Sequence, residues 1–500
     1  MTPAAAATPT PSPQPPAVRQ TPTPPASNPG QAVDQAARDI HDRLHDQGFL
    51  GTSRNDHLHE IQHTLDRLPA GERNQVIAKL SDADLKSWSG NINASGILGA
   101  EGLSHDEKRS LMKDLAGNLD GQQLARVSNA FGNRDDVVAL GDAVARFGSA
   151  DAKVDYVKAL APRATDRETQ TDTGFGSATT LYGDKEAAAI GNVLTSLKDN
   201  PRAFNEAMGA LNPAQLGAVV KALENERSTT TATYPGTASI TSRFDPAPLK
   251  GLLDAAAMAG NVQNKAALFQ AASGALKDIR DSDTLLTPNP SAGASVALVT
   301  QGMTQLMNSD TRGVVDRLNT VESGGASLAG YLKEVVRQDP SASNGIIGRQ
   351  LAQLQGAGTG MTAEKYIGTS QPDGTGAPYY RNAQNLGYYA GAVQAGIRSL
   401  TSDAKKQGEI LGNVFGTAIA VGSAALPLPV AGKVGAAAFN GLTRELIRQT
   451  VDSVASGNKS LQDAFAELAL PRDPGSPERY RGAADPFYQG AANTVELRNL

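Results

Sequence analysis

The residues with the most chemistry to offer lie near the start of the chain. Five of its six histidines, His41, His45, His57, His59 and His63, fall in one short stretch. Within it, His59-Glu60-Ile61-Gln62-His63 matches the HExxH pattern of zinc hydrolases. On a helix, residues four apart share a face, so His59 and His63 can bind one Zn²⁺ while Glu60 acts as general base on the bound water. His41 and His45 make a second pair at the same spacing. Three features count against catalysis at the first pair. Gln62 and Asp66 are polar where such helices carry apolar side chains. Asp66 and Arg67 stand where a glycine-bearing extension toward a third histidine would run. No strand-like run precedes the motif to form a substrate-binding edge. The same residues also make an ordinary amphipathic helix through Leu58, Ile61, Leu65 and Leu68. The expectation is a solvated helix face; the alternative is a metallohydrolase with Glu60 catalytic, His59 and His63 as ligands and zinc as cofactor.

Other catalytic constellations are weaker. The chain has no cysteine, which excludes disulfides, thiolate metal sites and a cysteine nucleophile. Glu322-Ser323-Gly324-Gly325 places a serine beside glycines but lacks the GxSxG elbow. A net charge of −5 leaves no basic footprint, so nucleic acid is not an expected partner. Enzyme activity is left open, with the balance toward none.

The elements that position these residues read as helices. Gly183–Glu226 is organised as three in succession. Asp184 caps the first, which carries Ala187, Ile190, Val193 and Leu197 on one face. Asn200-Pro201 and Asn212-Pro213 start the next two, each with an amide cap and proline at the first helical position. Leu80-Ser-Asp-Ala-Asp-Leu85, Leu119-Asp-Gly-Gln-Gln-Leu124 and Leu211-Asn-Pro-Ala-Gln-Leu216 repeat one phrase: an apolar residue, a cap, then the leucine that opens a buried stripe. Asp142–Gly148 with Lys153 matches Asp254–Gly260 with Lys265 at a constant offset, and Tyr156-Val157 answers Leu268-Phe269. This is an internal duplication of a module of roughly 100 residues, too long for the common short helical repeats. Gly148 and Gly260 read as tight turns between helices. Trp88 is expected to be buried.

Two Thr/Ser/Gly-rich inserts, Thr169–Tyr182 and Thr229–Phe244, interrupt the helices. Both read as surface loops, with an exposed recognition edge as the alternative. In the second, Tyr234-Pro-Gly-Thr237 stands as a turn between β-prone runs that suit a small hairpin, and the two flank the central unit where they can pair with each other. Gly356–Pro378 reads as a linker with a short helix near Ala363–Ile367, followed by a small-residue helix over Asn385–Leu400. Ala404–Val454 reads as a buried hairpin of two helices broken at Leu426-Pro-Leu-Pro429; the alternative is a membrane-active segment over 410–442. The fold class is therefore all-α: a multi-helix array with an internal duplication, two inserts and a disordered proline-rich start. The expected divisions are a leader over 1–32, a helical region over 33–135, the duplicated module over 136–345, a Gly/Ala-rich helical region over 346–470 and an irregular tail over 471–500.

The leader lacks the basic and apolar regions of a Sec signal peptide, and its Pro/Thr/Ala/Ser composition suits a flexible or uncleaved export segment. Leu306-Met-Asn-Ser-Asp-Thr-Arg-Gly-Val-Val315, Ala329-Gly-Tyr-Leu-Lys333 and Asn385-Leu-Gly-Tyr-Tyr-Ala-Gly-Ala-Val393 resemble helical, non-catalytic regions of large secreted effector and polymorphic-toxin-like proteins of Gram-negative, often plant-associated, bacteria. That resemblance covers about residues 60–460. It implies export or translocation without a Sec signal, a cytoplasmic stage before it, partners in a secretion machinery or chaperone and in a host or target cell, and no catalytic residues.

Overall fold

The structure is a computed structural model. It describes residues 29–46, 52–95, 100–165, 170–174, 177–181, 184–233, 237–283, 289–338, 340–354, 371–372, 378–379, 381–424, 444–460 and 463–464. The described residues are mostly helical. The chain opens with α1 (Pro29–His45), α2 (Arg54–Asp66), α3 (Ala70–Lys79), α4 (Asp82–Ile92), α5 (His105–Asn118), α6 (Gly121–Ala130), α7 (Arg134–Phe147) and α8 (Ala150–Leu160). After the strands β1 (Gln170–Gly174) and β2 (Ser177–Leu181) come α9 (Lys185–Ser196), α10 (Pro201–Gly209) and α11 (Pro213–Leu223). The strands β3 (Arg227–Thr233) and β4 (Thr237–Arg243) lead into α12 (Ala247–Ala259), α13 (Val262–Asp281), α14 (Ala292–Ser309), α15 (Thr311–Leu318), α16 (Gly324–Gln338) and α17 (Pro340–Leu354). The short strands β5 (Gln371–Pro372) and β6 (Pro378–Tyr379) precede α18 (Arg381–Leu400), α19 (Ala404–Ala424) and α20 (Arg444–Ala455).

The helix starts follow from the caps. Ser81, Asp120, Ser149, Asp184, Asn200, Asn212 and Asn261 each accept a backbone N–H of the first turn through the side chain. Many corners have no loop. The C-cap residues Leu80, Leu119, Gly148 and Gly260 are extended, and the next residue is already the cap of the following helix. The two glycines, with φ of −67° and −70°, are thus turns of extended backbone and not left-handed C-caps.

Such sharp corners send successive helices in different directions, and many helices pack mainly on one two or three further along. One row runs α5, α7, α9, α12, α14; a second holds α4, α6, α8, α10, and α13 with α15 carries on from it, while α11 packs between α9 and α13. Further along, α16 packs on α18, α17 on α19 and α19 on α20. One core of buried side chains runs from Val33 to Ala464. It is rich in alanine, and glycine lets helices touch. A Cβ on Gly141 of α7 would lie 2.7 Å from the Ala189 Cβ of α9.

The two inserts form one antiparallel sheet in the order β1-β2-β3-β4. The hairpins join where Thr180 faces Ser228 and Leu181 faces Arg227. Asp245 N–H, after β4, bonds to Glu224 C=O, at the end of α11, and ties the sheet to the helices. Threonine suits this pleated surface.

Several expected boundaries move. Helix α1 takes in Pro29–Gln31, so the helical array starts inside the stretch read as leader; residues 1–28 lie outside the described residues. The division at 135 falls inside α7 and that at 345 inside α17, because the stacked helices bury a common core across both points. Part of the expected linker pairs as β5–β6, and α18 starts at Arg381. The short helix near 363–367, the Leu-Pro-Leu-Pro turn at 426–429 and the tail over 471–500 lie outside the described residues.

Candidate metal centre

The amphipathic pattern over α2 predicts which side chains go inward, and Leu58, Ile61 and Leu65 are buried. That leaves His59, Glu60 and His63 exposed. His59 Nε2 lies 2.9 Å from Glu107 Oε1 on α5. Glu60 accepts the Arg43 Nε–H from α1 at 2.6 Å. The hydrogen bond from Arg43 holds the Glu60 carboxyl below its ordinary value, which makes it a weaker base than the near-neutral group that general-base chemistry favours. Glu107 is held down to about 2 by the Ser104 cap first and by His59 after it. His59 and Glu60 are therefore engaged with different helices. Among the described residues, His59 and His63 join no third ligating side chain around a common point. Ser323 is also occupied structurally, its Oγ accepting a hydrogen bond from Gln270 on α13.

The structure assembles a different group. The face of α1 that carries Val33, Ala36, Ile40 and Leu44 is buried. His41 and His45 flank it, their ring centroids 4.6 Å apart, with side chains 55% and 46% exposed. Opposite them, Asp84 on the first turn of α4 is buried. His41 Nδ1 is 2.8 Å and His45 Nε2 2.9 Å from the same oxygen, Asp84 Oδ1. The other oxygen, Oδ2, accepts the Ser81 backbone N–H at 2.9 Å and the Ser81 hydroxyl at 2.7 Å, while Ser81 Oγ accepts Asp84 N–H. One carboxylate thus closes the capping box of α4 with one oxygen and receives two imidazoles with the other. Burial opposes its charge, but the hydrogen bonds from His45, Ser81 and His41 outweigh that and hold its carboxyl far below the ordinary carboxylate range.

Two imidazoles and a carboxylate on one side of a point, with solvent on the other, can hold a divalent metal of the imidazole-binding class. The sequence shows the histidine pair by its spacing. Asp84 is visible only as the acidic third residue of a cap phrase, and nothing in that phrase points across to α1. Both groups lie beside α1, which also reaches α3 through Asp34 and Lys79 at 2.7 Å.

A cleft between α2, α3 and α5, lined by Gln62, Leu65, Arg73, Leu111 and Asp114 among others, has room for about one water and no substrate. No protein-family model, no curated protein and no solved structure matches this chain.

Proposed function

We propose that this protein is a secreted or translocated bacterial helical interaction and delivery protein without a catalytic site of its own. The observation that carries the reading is the two-row stacking of helices on a continuous alanine-rich core, with one four-stranded sheet set into it. Helices stacked in this way expose a long surface made of many elements, the kind on which extended partners dock. The parallel packing of the two copies supports a duplicated module. In the first, α7 packs on α9 and α8 on α10; in the second, α12 packs on α14 and α13 on α15. The stretches resembling effector-associated helical regions lie on α14, α15, α16 and α18, inside this array, and they favour partners in a secretion machinery or chaperone and in the target cell.

The test is a translocation assay. A reporter enzyme fused to the full chain, and to a chain lacking residues 1–30, is expressed in a Gram-negative bacterium in contact with recipient cells. Reporter signal in recipients from the full chain, lost in the shortened one, is the expected result. Retention of the full-length fusion in the producing cell under every condition tried removes the proposal.

A further inference from the structure

We propose that His41, His45 and Asp84 bind one zinc ion that clasps α1 onto α4 and so secures the first helix of the array. The assignment goes beyond the interaction role and does not depend on it.

The donor set selects the ion. Two imidazole nitrogens and one carboxylate oxygen, with a fourth position open to water, suit Zn²⁺; Mg²⁺ and Ca²⁺ take oxygen-rich shells. The three ligand atoms lie within 4.8 Å of one another. In a tetrahedral site with bonds of about 2 Å, ligand atoms stand about 3.3 Å apart. The two nitrogens are 2.8 and 2.9 Å from Asp84 Oδ1 and within 4.8 Å of each other, so an ion enters by widening the two gaps to the oxygen by about half an ångström while the nitrogens settle to the tetrahedral spacing. The half-exposed imidazoles can rotate by that much, and their exposure leaves the ion a path from solvent.

The carboxylate does not need to be organised first. Its second oxygen is already fixed by the backbone N–H and hydroxyl of Ser81, the outer-shell support that metal-binding carboxylates use. The two rings are fixed relative to each other by one helical turn of α1, whose inner face is anchored by Ile40 and Leu44. Without metal, the two histidines crowd one oxygen acceptor with two nitrogens. With metal, one ion takes the place of both contacts. Because the ligands lie 39 to 43 residues apart in sequence, binding adds a link between elements that packing and the Asn91 Nδ2–H bond to Leu44 C=O already bring together.

The experiment uses the full chain, stripped with chelator and titrated with Zn²⁺ at neutral pH. Calorimetry should give one ion per chain, and the melting temperature should rise. Hydrogen exchange should slow in α1 on adding the metal. His41→Ala and His45→Ala remove half-exposed side chains and should fold normally, yet each should abolish the thermal shift and the exchange protection. Ser81→Ala should weaken binding roughly tenfold or more through loss of the outer-shell contact. His59→Ala and His63→Ala should leave binding unchanged. No stoichiometric binding, binding that survives the double substitution of His41 and His45, or binding lost in His59→Ala or His63→Ala instead, overturns the assignment. Zinc bound at these residues without protection of α1 overturns the clasp.

Discussion

Asp184 caps α9 through a hydrogen bond from Ala187 N–H to Oδ1, while its other oxygen is buried with no hydrogen-bond partner among the described residues. Burial raises its pKa from 3.8 to about 7, against the Ala187 bond and with the charge of Glu186 adding to the rise. Glu224, buried at the end of α11, is raised to about 8 by desolvation despite Lys221 at 2.9 Å. The native state therefore holds protons that the unfolded chain releases at lower pH. Stability contributed by these groups is lost as pH rises through the interval between the unfolded and folded values. We predict that the melting temperature falls between about pH 5 and about pH 8, and that Asp184→Asn, which keeps the cap, flattens the profile below about pH 7. An unchanged slope in the variant means that Asp184 is ionised in the native protein. A second buried polar group is fully paired: the Tyr389 hydroxyl donates to Gln350 Oε1 at 2.5 Å, and Gln350 Nε2 donates to Asn308 Oδ1 at 2.9 Å and to the Tyr331 hydroxyl at 3.2 Å. Tyr389→Phe leaves the Gln350 oxygen unpaired in the core and should cost about 1–3 kcal/mol in denaturant unfolding. A change near zero means that water reaches Gln350.

At the scale of the element, the close contact of α7 with α9 depends on the absence of a side chain. A Cβ on Gly141 would meet both Cβ and Cα of Ala189, the second at 2.8 Å, and backbone cannot rotate away. Gly217 also lies inside a helix, α11, but has open space around it. The same substitution should have opposite signs at the two places. Gly141→Ala should destabilise by about 1–3 kcal/mol through overpacking, and Gly217→Ala should stabilise by about 0.4–1 kcal/mol through helix propensity and a less flexible unfolded chain. Chemical denaturation of both variants checks this; equal effects mean that α7 and α9 are not packed as described. The caps are a smaller contribution of the same kind. Asp120→Ala removes the acceptor for Gln123 N–H and should cost about 1 kcal/mol.

At the scale of the whole molecule, the stacking of each helix on its near neighbours limits how far a local defect spreads. Leu85 on α4 is buried among elements near the start of the chain, α4 packing on α1, α2 and α6. Leu85→Ala should cost about 2–5 kcal/mol locally. Hydrogen exchange read by mass spectrometry should then speed up in α1–α6 and stay slow in α12–α16. Uniform acceleration along the chain means that the continuous core unfolds as one cooperative unit. The membrane alternative belongs to this scale as well. Among the described residues, no helix is long and apolar enough to cross a bilayer. The described part of α19 packs against α20, where Gly412 meets Val451.

Local signals in the sequence determined the helices and where they start, because a cap is a contact between residues three apart. Ser81, Asp120, Asp184, Asn200 and Asn212 each cap the helix expected of them, and the buried stripe of α9, from Ala187 to Leu197, lies inward as its period requires. Composition set the two inserts apart from the helices, and β-prone runs pointed to a hairpin in the second; that both form strands of one sheet is a tertiary result. The partners across the fold were decided by tertiary structure. Glu60 follows a histidine at the hydrolase spacing, yet its neighbour in space is Arg43, which comes from another helix. Asp84 meets His41 and His45 only because α1 lies across α4. Spacing along one helix records which side chains share a face; it holds no information on which helix that face will meet, and a metal centre built from two helices depends on that second quantity.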